Sequence, residues 1–99
     1  MSDFLAKKTE FPGLYLLERK RKGDSRGFLS RIFCSQELSS LGWEKPVAQV
    51  NHTYTYLNGT IRGLHFQHPP YAEIKVVTCV RGSIWDVVVD IRKDSESFL

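Results

Sequence analysis

Ninety-nine residues suffice for one small domain and not for two, because a short chain buries proportionally little of its surface. Hydrophobic residues make up 41% of it, aromatic residues 12% and charged residues 25%, a composition that excludes a disordered or fibrous chain. The net charge is +3, with basic residues concentrated early, at Lys7, Lys8 and the run Arg19-Lys20-Arg21-Lys22. A run this short, ending in Gly23-Asp24, reads as a solvated turn rather than a nucleic-acid grip, and leaves anionic small ligands open.

The start, MSDFLAKKTEF, lacks the apolar core of a signal peptide, and the longest aliphatic run, Val87-Val88-Val89, is far too short to span a bilayer. No membrane partner is expected, and the simplest location is the cytoplasm. Cys34 and Cys79 lie far apart with no CxxC pairing, which predicts reduced thiols.

Residues 14–18 are apolar and strand-like, KRKGDSRG supplies turn residues, and residues 28–33 resume an aromatic-rich extended pattern, so a first hairpin is expected here. Ser35 is placed to cap a helical turn through Leu41, with Gly42 as its stop. VAQVNHTYTY, residues 47–56, is rich in β-branched and aromatic residues, and Asn58-Gly59 follows as the pair most favoured in a two-residue hairpin. Its partner is residues 60–66, ended by His68-Pro69-Pro70, since proline cannot donate to a ladder. Residues 73–80 and 83–91, joined at Arg81-Gly82, predict a third hairpin. The pattern is all-β: an antiparallel sandwich or barrel with at most one short helix. After Ile91 the chain runs RKDSESFL, leaving sheet edges that a complete sandwich would cover. The expectation is that the strands pair with another subunit, or that residues 1–99 are a piece of a longer domain.

Within IRGLHFQHPP, residues 61–70, strict alternation places Ile61, Gly63, His65 and Gln67 on one face and Arg62, Leu64 and Phe66 on the other. Arg62 and His65 reach one pocket only if the strand bulges, and Gly63 between them is where a bulge costs least. An isolated histidine is more often a satisfied, half-buried side chain than a functional one. His65, flanked by Leu64 and Phe66 with an arginine three residues earlier, also suits a general base. His68 reads as a loop residue, and His52 is equally ambiguous. His65, His68 and Glu73 invite comparison with a metal site, but HxxH puts the two rings on opposite faces where metal-binding cupins carry HxH. A two-residue turn at Arg81-Gly82 would make Lys75 the diagonal neighbour of Asp86, either as a surface ion pair or as a lysine held to stabilise an oxyanion.

The ordered blocks D-S-R-G-F (24–28), Q-V-N-H-T (49–53), R-G-L-H-F-Q (62–67), K-V-V (75–77) and G-S-I-W-D-V-V-V-D-I-R (82–92) resemble the dTDP-4-dehydrorhamnose 3,5-epimerase family. The resemblance runs from about Pro12 to the last residue and implies a cupin-like jelly roll, incomplete here at the C-terminus, acting as a homodimer with neither metal nor other cofactor. Its implied substrate is a nucleotide-linked 4-keto-6-deoxyhexose of dTDP-rhamnose-type biosynthesis. By the same resemblance His65 abstracts protons from the carbons beside the ketone, Lys75 stabilises the enolate, and Arg26, Gln49, Asn51 and Arg62 bind substrate; the supporting role of Asp86 toward Lys75 comes from the hairpin register alone. Arg26 would lie on a hairpin that reaches into the neighbouring subunit.

Two positions depart from the family pattern, which has glutamate where this chain has Arg31 and glutamine where it has Glu73. The chain is also about half the family's length, so the tyrosine that returns the proton, the aspartate that orients the histidine and a further substrate-binding histidine are not among its residues. A non-catalytic remnant that binds nucleotide sugar or dimerises, and a metal-dependent cupin, are the competing readings.

Overall fold

Pro12-Gly13 sets the first reversal of the chain. The Leu14 N–H donates to Phe11 O at 3.1 Å and Gly13 takes φ +88, the pattern of a type II turn with proline second and glycine third. In the computed structural model, which describes residues 4–99, this turn brings β1 (Phe4–Lys8) antiparallel to β2 (Tyr15–Arg19). Met1, Ser2 and Asp3, on which the reading of the start as free of a signal peptide partly rests, lie outside the described residues. Phe4 stands opposite Arg19, Ala6 opposite Leu17 and Lys8 opposite Tyr15. Along β2, Tyr15, Leu17 and Arg19 are half-buried while Leu16 and Glu18 are exposed, the two-residue period of a sheet with one covered face. Lys7 Nζ meets Glu18 Oε1 diagonally at 2.6 Å, a half-exposed pair that adds little stability.

The expected hairpin between residues 14–18 and 28–33 does not form. The residues read as its turn are themselves β3 (Arg21–Asp24), paired antiparallel with β4 (Gly27–Ser30) across the loop Ser25-Arg26. A two-residue loop costs less closure entropy than the longer one, and the Asp24 carboxylate fastens it by accepting the Arg26 N–H at 2.9 Å. Gly23 faces Phe28, whose ring lies 4.2 Å below the Arg21 guanidinium.

The helix α1 (Ser35–Ser39) is present, but its cap position is held by Cys34, in extended conformation and without a side-chain bond; Ser35 is already helical. Gly42 stops it as expected, at φ +107. Its N–H donates to Ser39 O at 3.2 Å and that of Trp43 to Leu38 O at 3.1 Å, the two bonds of a Schellman motif. Leu38 is buried, and the Trp43 ring meets Phe33 edge-on at 5.2 Å. Phe4 and Leu38 are the buried apolar side chains among the described residues. Cys34 and Cys79 are free and half-buried.

From residue 44 onward no strand is assigned among the described residues, so the expected strands at 47–56, 60–66, 73–80 and 83–91 are not paired into ladders. The turns themselves supply a reason. Asn58-Gly59 does form a turn, with the Thr60 N–H donating to Leu57 O at 3.4 Å. Only its glycine has positive φ, and Arg81-Gly82 repeats that pattern. The two-residue turns that follow sheet twist need positive φ at the first central residue, alone or with the second, and neither Asn58 nor Arg81 has it. The chain nevertheless keeps strand-like alternation locally. Side chains two residues apart meet at Gln49/Asn51, Tyr54/Tyr56, Phe66/His68 and Glu73/Lys75.

The class is all-β, built among the described residues from two two-stranded antiparallel sheets and one short helix, and as a sandwich it is incomplete. No helix among the described residues is long and apolar enough to cross a membrane. The chain divides into two units, one running to Trp43 and resuming over Thr78–Leu99, the other Glu44–Val77.

Candidate functional site

The unit Glu44–Val77 carries Gln49, Asn51, Arg62, His65 and Lys75. Asn51 Nδ2 donates to Gln49 Oε1 at 3.4 Å, so two amides two residues apart present a joint polar edge. Arg62 Nη2 donates to Thr55 Oγ1 at 3.3 Å. Thr55 and Arg62 are equidistant from the Asn58-Gly59 turn, so a side-chain bond marks the two-residue register although no ladder follows it.

Gly63 takes φ +86, and a Cβ built on it would stand 3.2 Å from His65 Nδ1. The His65 ring therefore lies over the glycine, in space that another residue would fill. The bulge anticipated at Gly63 has no ladder to interrupt, yet the left-handed backbone falls on that residue, between Arg62 and His65. His65 is exposed. His68 sits at the start of a turn, its carbonyl accepting the Tyr71 N–H at 2.8 Å and its ring edge-on to Phe66 at 4.9 Å. The expectation that His68 is a loop residue agrees with this.

Lys75 Nζ stands 3.6 Å from Glu73 Oε1, both side chains being somewhat under half exposed. No ladder runs on either side of Arg81-Gly82, so the register that would have set Asp86 diagonal to Lys75 is not formed. Among the described residues no hydrogen bond or ion pair joins His65 to Arg62 or to Lys75, and no three histidine, cysteine, aspartate or glutamate side chains converge as a metal would require.

Arg26 and Asp86 belong to the other unit. Arg26 occupies the exposed tip of the β3–β4 hairpin, with Nη2 2.7 Å from Asp24 Oδ2 and Nε within 3.3 Å of both carboxylate oxygens. The guanidinium beside Asp24 holds that carboxyl below its ordinary range. Arg31, one of the two departures from the family pattern, pairs with Glu37 of α1 at 3.4 Å.

The strongest polar cluster contains none of the candidate residues. Asp90 is buried and accepts from Arg92 Nε at 2.9 Å, Arg92 Nη2 at 3.0 Å, the Arg92 N–H at 3.0 Å and the hydroxyls of Ser95 and Ser97. These donors, Arg92 foremost, push its carboxyl far below the ordinary carboxylate range. An open, mainly apolar cleft of about 290 Å³ lies beside it, between the Phe11–Leu14 turn and the Val88–Arg92 segment. Sequence reasoning passed over this cluster. The signal available was an aspartate with arginine two residues later and serines five and seven residues later.

Comparison with known proteins decides the family. The dTDP-4-dehydrorhamnose 3,5-epimerase family matches residues 8–99, nearly the whole chain. The chain belongs to this family. Its similarity to the dTDP-4-dehydrorhamnose 3,5-epimerase of Shigella flexneri is 42% identity over 92 residues, covering 92% of this chain and 50% of the relative. The corresponding protein of Escherichia coli K12 is 40% identical over the same share of the chain, and 49% of its own length is covered. A dTDP-4-dehydrorhamnose 3-epimerase of Streptomyces niveus is 34% identical over 87 residues, 87% of this chain and 42% of the relative. The chain thus spans about half the length of the curated epimerases it matches. No solved structure gives a significant match.

Proposed function

We propose that this chain carries the proton-abstracting half of a sugar-nucleotide epimerase acting at C3, C5 or both of a dTDP-4-keto-6-deoxyhexose, in dTDP-rhamnose-type biosynthesis. His65 is the base that removes the proton beside the C4 ketone, a task suited to an imidazole near neutral pH. Lys75 supplies the cationic donor for the enolate oxygen, whose charge appears only as the proton leaves. Arg26 and Arg62 bind the pyrophosphate, for which planar guanidinium forks are matched, and Gln49 and Asn51 hold the substrate through their amides. The proposal needs no metal or cofactor: the ketone itself acidifies the neighbouring C–H.

The observation that carries this reading is the family match over residues 8–99, within which RGLHFQ and DVVVDIR stand in order. The setting of His65 above a left-handed glycine supports it. The exposed apolar side chains Val50, Tyr56 and Ile61, on segments without ladder partners, support a cupin-like jelly roll that is completed by further chain and by a second subunit in a cytoplasmic homodimer.

The test is solvent deuterium wash-in at C3 and C5 of the dTDP-4-keto-6-deoxyhexose, followed by NMR. Exchange that depends on the chain and is lost in His65→Asn is expected. Exchange undiminished in His65→Asn removes the assigned base. Binding of the nucleotide sugar with no exchange at all leaves a binding module in place of an enzyme.

A further inference from the structure

We infer that Asp90 and Arg92 form a two-armed clasp on one buried carboxylate, its arginine arm holding the Phe11–Leu14 turn and its serine arm holding residues 93–99. The motif behind it is the D-I-R that ends DVVVDIR, which plays no part in the proposed proton chemistry. Arg92 grips Asp90 with Nε on Oδ1 at 2.9 Å and Nη2 on Oδ2 at 3.0 Å, a bidentate fork that fixes the guanidinium plane. With the plane fixed, the remaining nitrogen is aimed: Nη1 donates to Pro12 O at 2.8 Å, 80 residues away in the chain. That carbonyl belongs to the turn joining β1 to β2, next to the bond from the Leu14 N–H to Phe11 O.

Asp90 also gathers residues 95–99. Oδ2 accepts from Ser95 Oγ at 2.7 Å and from Ser97 Oγ, the two hydroxyls lie 3.0 Å apart, and the Asp90 carbonyl accepts the Leu99 N–H at 2.8 Å. A carboxylate offers about four acceptor directions, and Asp90 already receives five donors. It has none left for a ligand, so the cluster acts as a device of the fold. One buried side chain serves two segments, and a buried acceptor network fails as a unit when its centre is removed.

Amide hydrogen exchange on the full chain tests this. In Asp90→Asn, exchange is expected to quicken about tenfold both at Thr9 and Leu14 and at Ser95, Phe98 and Leu99, with the β1–β2 ladder still protected as proof of folding. Arg92→Lys keeps a cation beside Asp90 but cannot span to Pro12, so Thr9 and Leu14 quicken while Ser95 and Leu99 hold. The double variant Ser95→Ala, Ser97→Ala does the reverse. Should Asp90→Asn unfold the chain, these two variants still decide the matter. Unchanged exchange at Thr9 and Leu14 in Arg92→Lys, or equal quickening of both segments in the serine variant, overturns the clasp.

Discussion

Arg62 Nη2 donates to Thr55 Oγ1 at 3.3 Å across the Asn58-Gly59 turn, at the position where a two-residue hairpin would set these residues opposite each other. If Arg62 faces a pyrophosphate, Thr55 limits where its guanidinium can swing. Arg62→Gln is expected to weaken binding of dTDP about tenfold, the size of one charged hydrogen bond, and to flatten its salt dependence. Thr55→Val keeps the shape and removes the acceptor, for a loss of roughly threefold, with Thr55→Ser near wild type. Isothermal titration at two salt concentrations reads both effects, and an Arg62→Gln variant binding as well as wild type would show that the arginine is misassigned.

Gly63 is the backbone position on which His65 depends. An L-residue at φ +86 is strained by roughly 1–2 kcal/mol, and the added Cβ would stand 3.2 Å from His65 Nδ1. Gly63→Ala should therefore lower the urea midpoint and also displace the imidazole, visible as a shift of its ring resonances. If His65 is the proposed base, deuterium wash-in should fall more than dTDP affinity does, because its ring is moved and the arginines proposed to hold the pyrophosphate are not. Unshifted His65 resonances would mean that the glycine is only a turn residue.

Glu73 and Lys75 form an ion pair at 3.6 Å, and under the proposed mechanism that carboxylate competes with the enolate for the ammonium. The pair is exposed enough that solvent screens it, so its worth is at most about 1 kcal/mol. Glu73→Gln should raise the rate of deuterium wash-in by up to about fivefold at low salt, with the gain fading as salt is added. A slower Glu73→Gln enzyme would mean that the carboxylate orients Lys75 instead of restraining it.

The all-β class, the stop at Gly42, the turn at Asn58-Gly59 and the family were legible in the sequence, because each rests on local chemistry: a left-handed glycine, β-branched alternation, ordered motifs. What failed were pairings. KRKGDSRG reads as a turn by composition, but Asp24 closes a tighter loop inside it and makes its first half a strand. The segments after residue 44 keep the two-residue side-chain period without a ladder, since alternation states what a strand would bury and not whether a facing sheet is present. β1 escaped notice because Phe4-Leu5-Ala6-Lys7-Lys8 has no alternation of its own, and its partner is set by Pro12-Gly13. The Asp90 cluster was hidden because nothing local reveals that Pro12 comes within reach of Arg92.

Acid should strip the Asp90 contribution from the fold in a defined direction. Arg92, Ser97, Ser95 and the Arg92 N–H all favour the carboxylate, so the folded-state pKa is depressed below the ordinary value of 3.8. A group with a depressed folded pKa stabilises the fold fully above its unfolded pKa and loses that contribution as pH falls toward the folded one. The stability difference between wild type and Asp90→Asn should thus be constant from pH 7 to about 5, begin to shrink near pH 4, and keep shrinking below it. Urea midpoints of the two proteins across pH 7 to 2 measure this, the other carboxylates cancelling in the difference. Asp24→Asn is the control. Its partner Arg26 is also an arginine two residues on, but that pair is exposed at the hairpin tip, where solvent screening leaves little to lose. A wild-type advantage over Asp90→Asn that is the same at pH 2 as at pH 7 would mean that the carboxylate charge is not what holds Arg92, Ser95 and Ser97 in place.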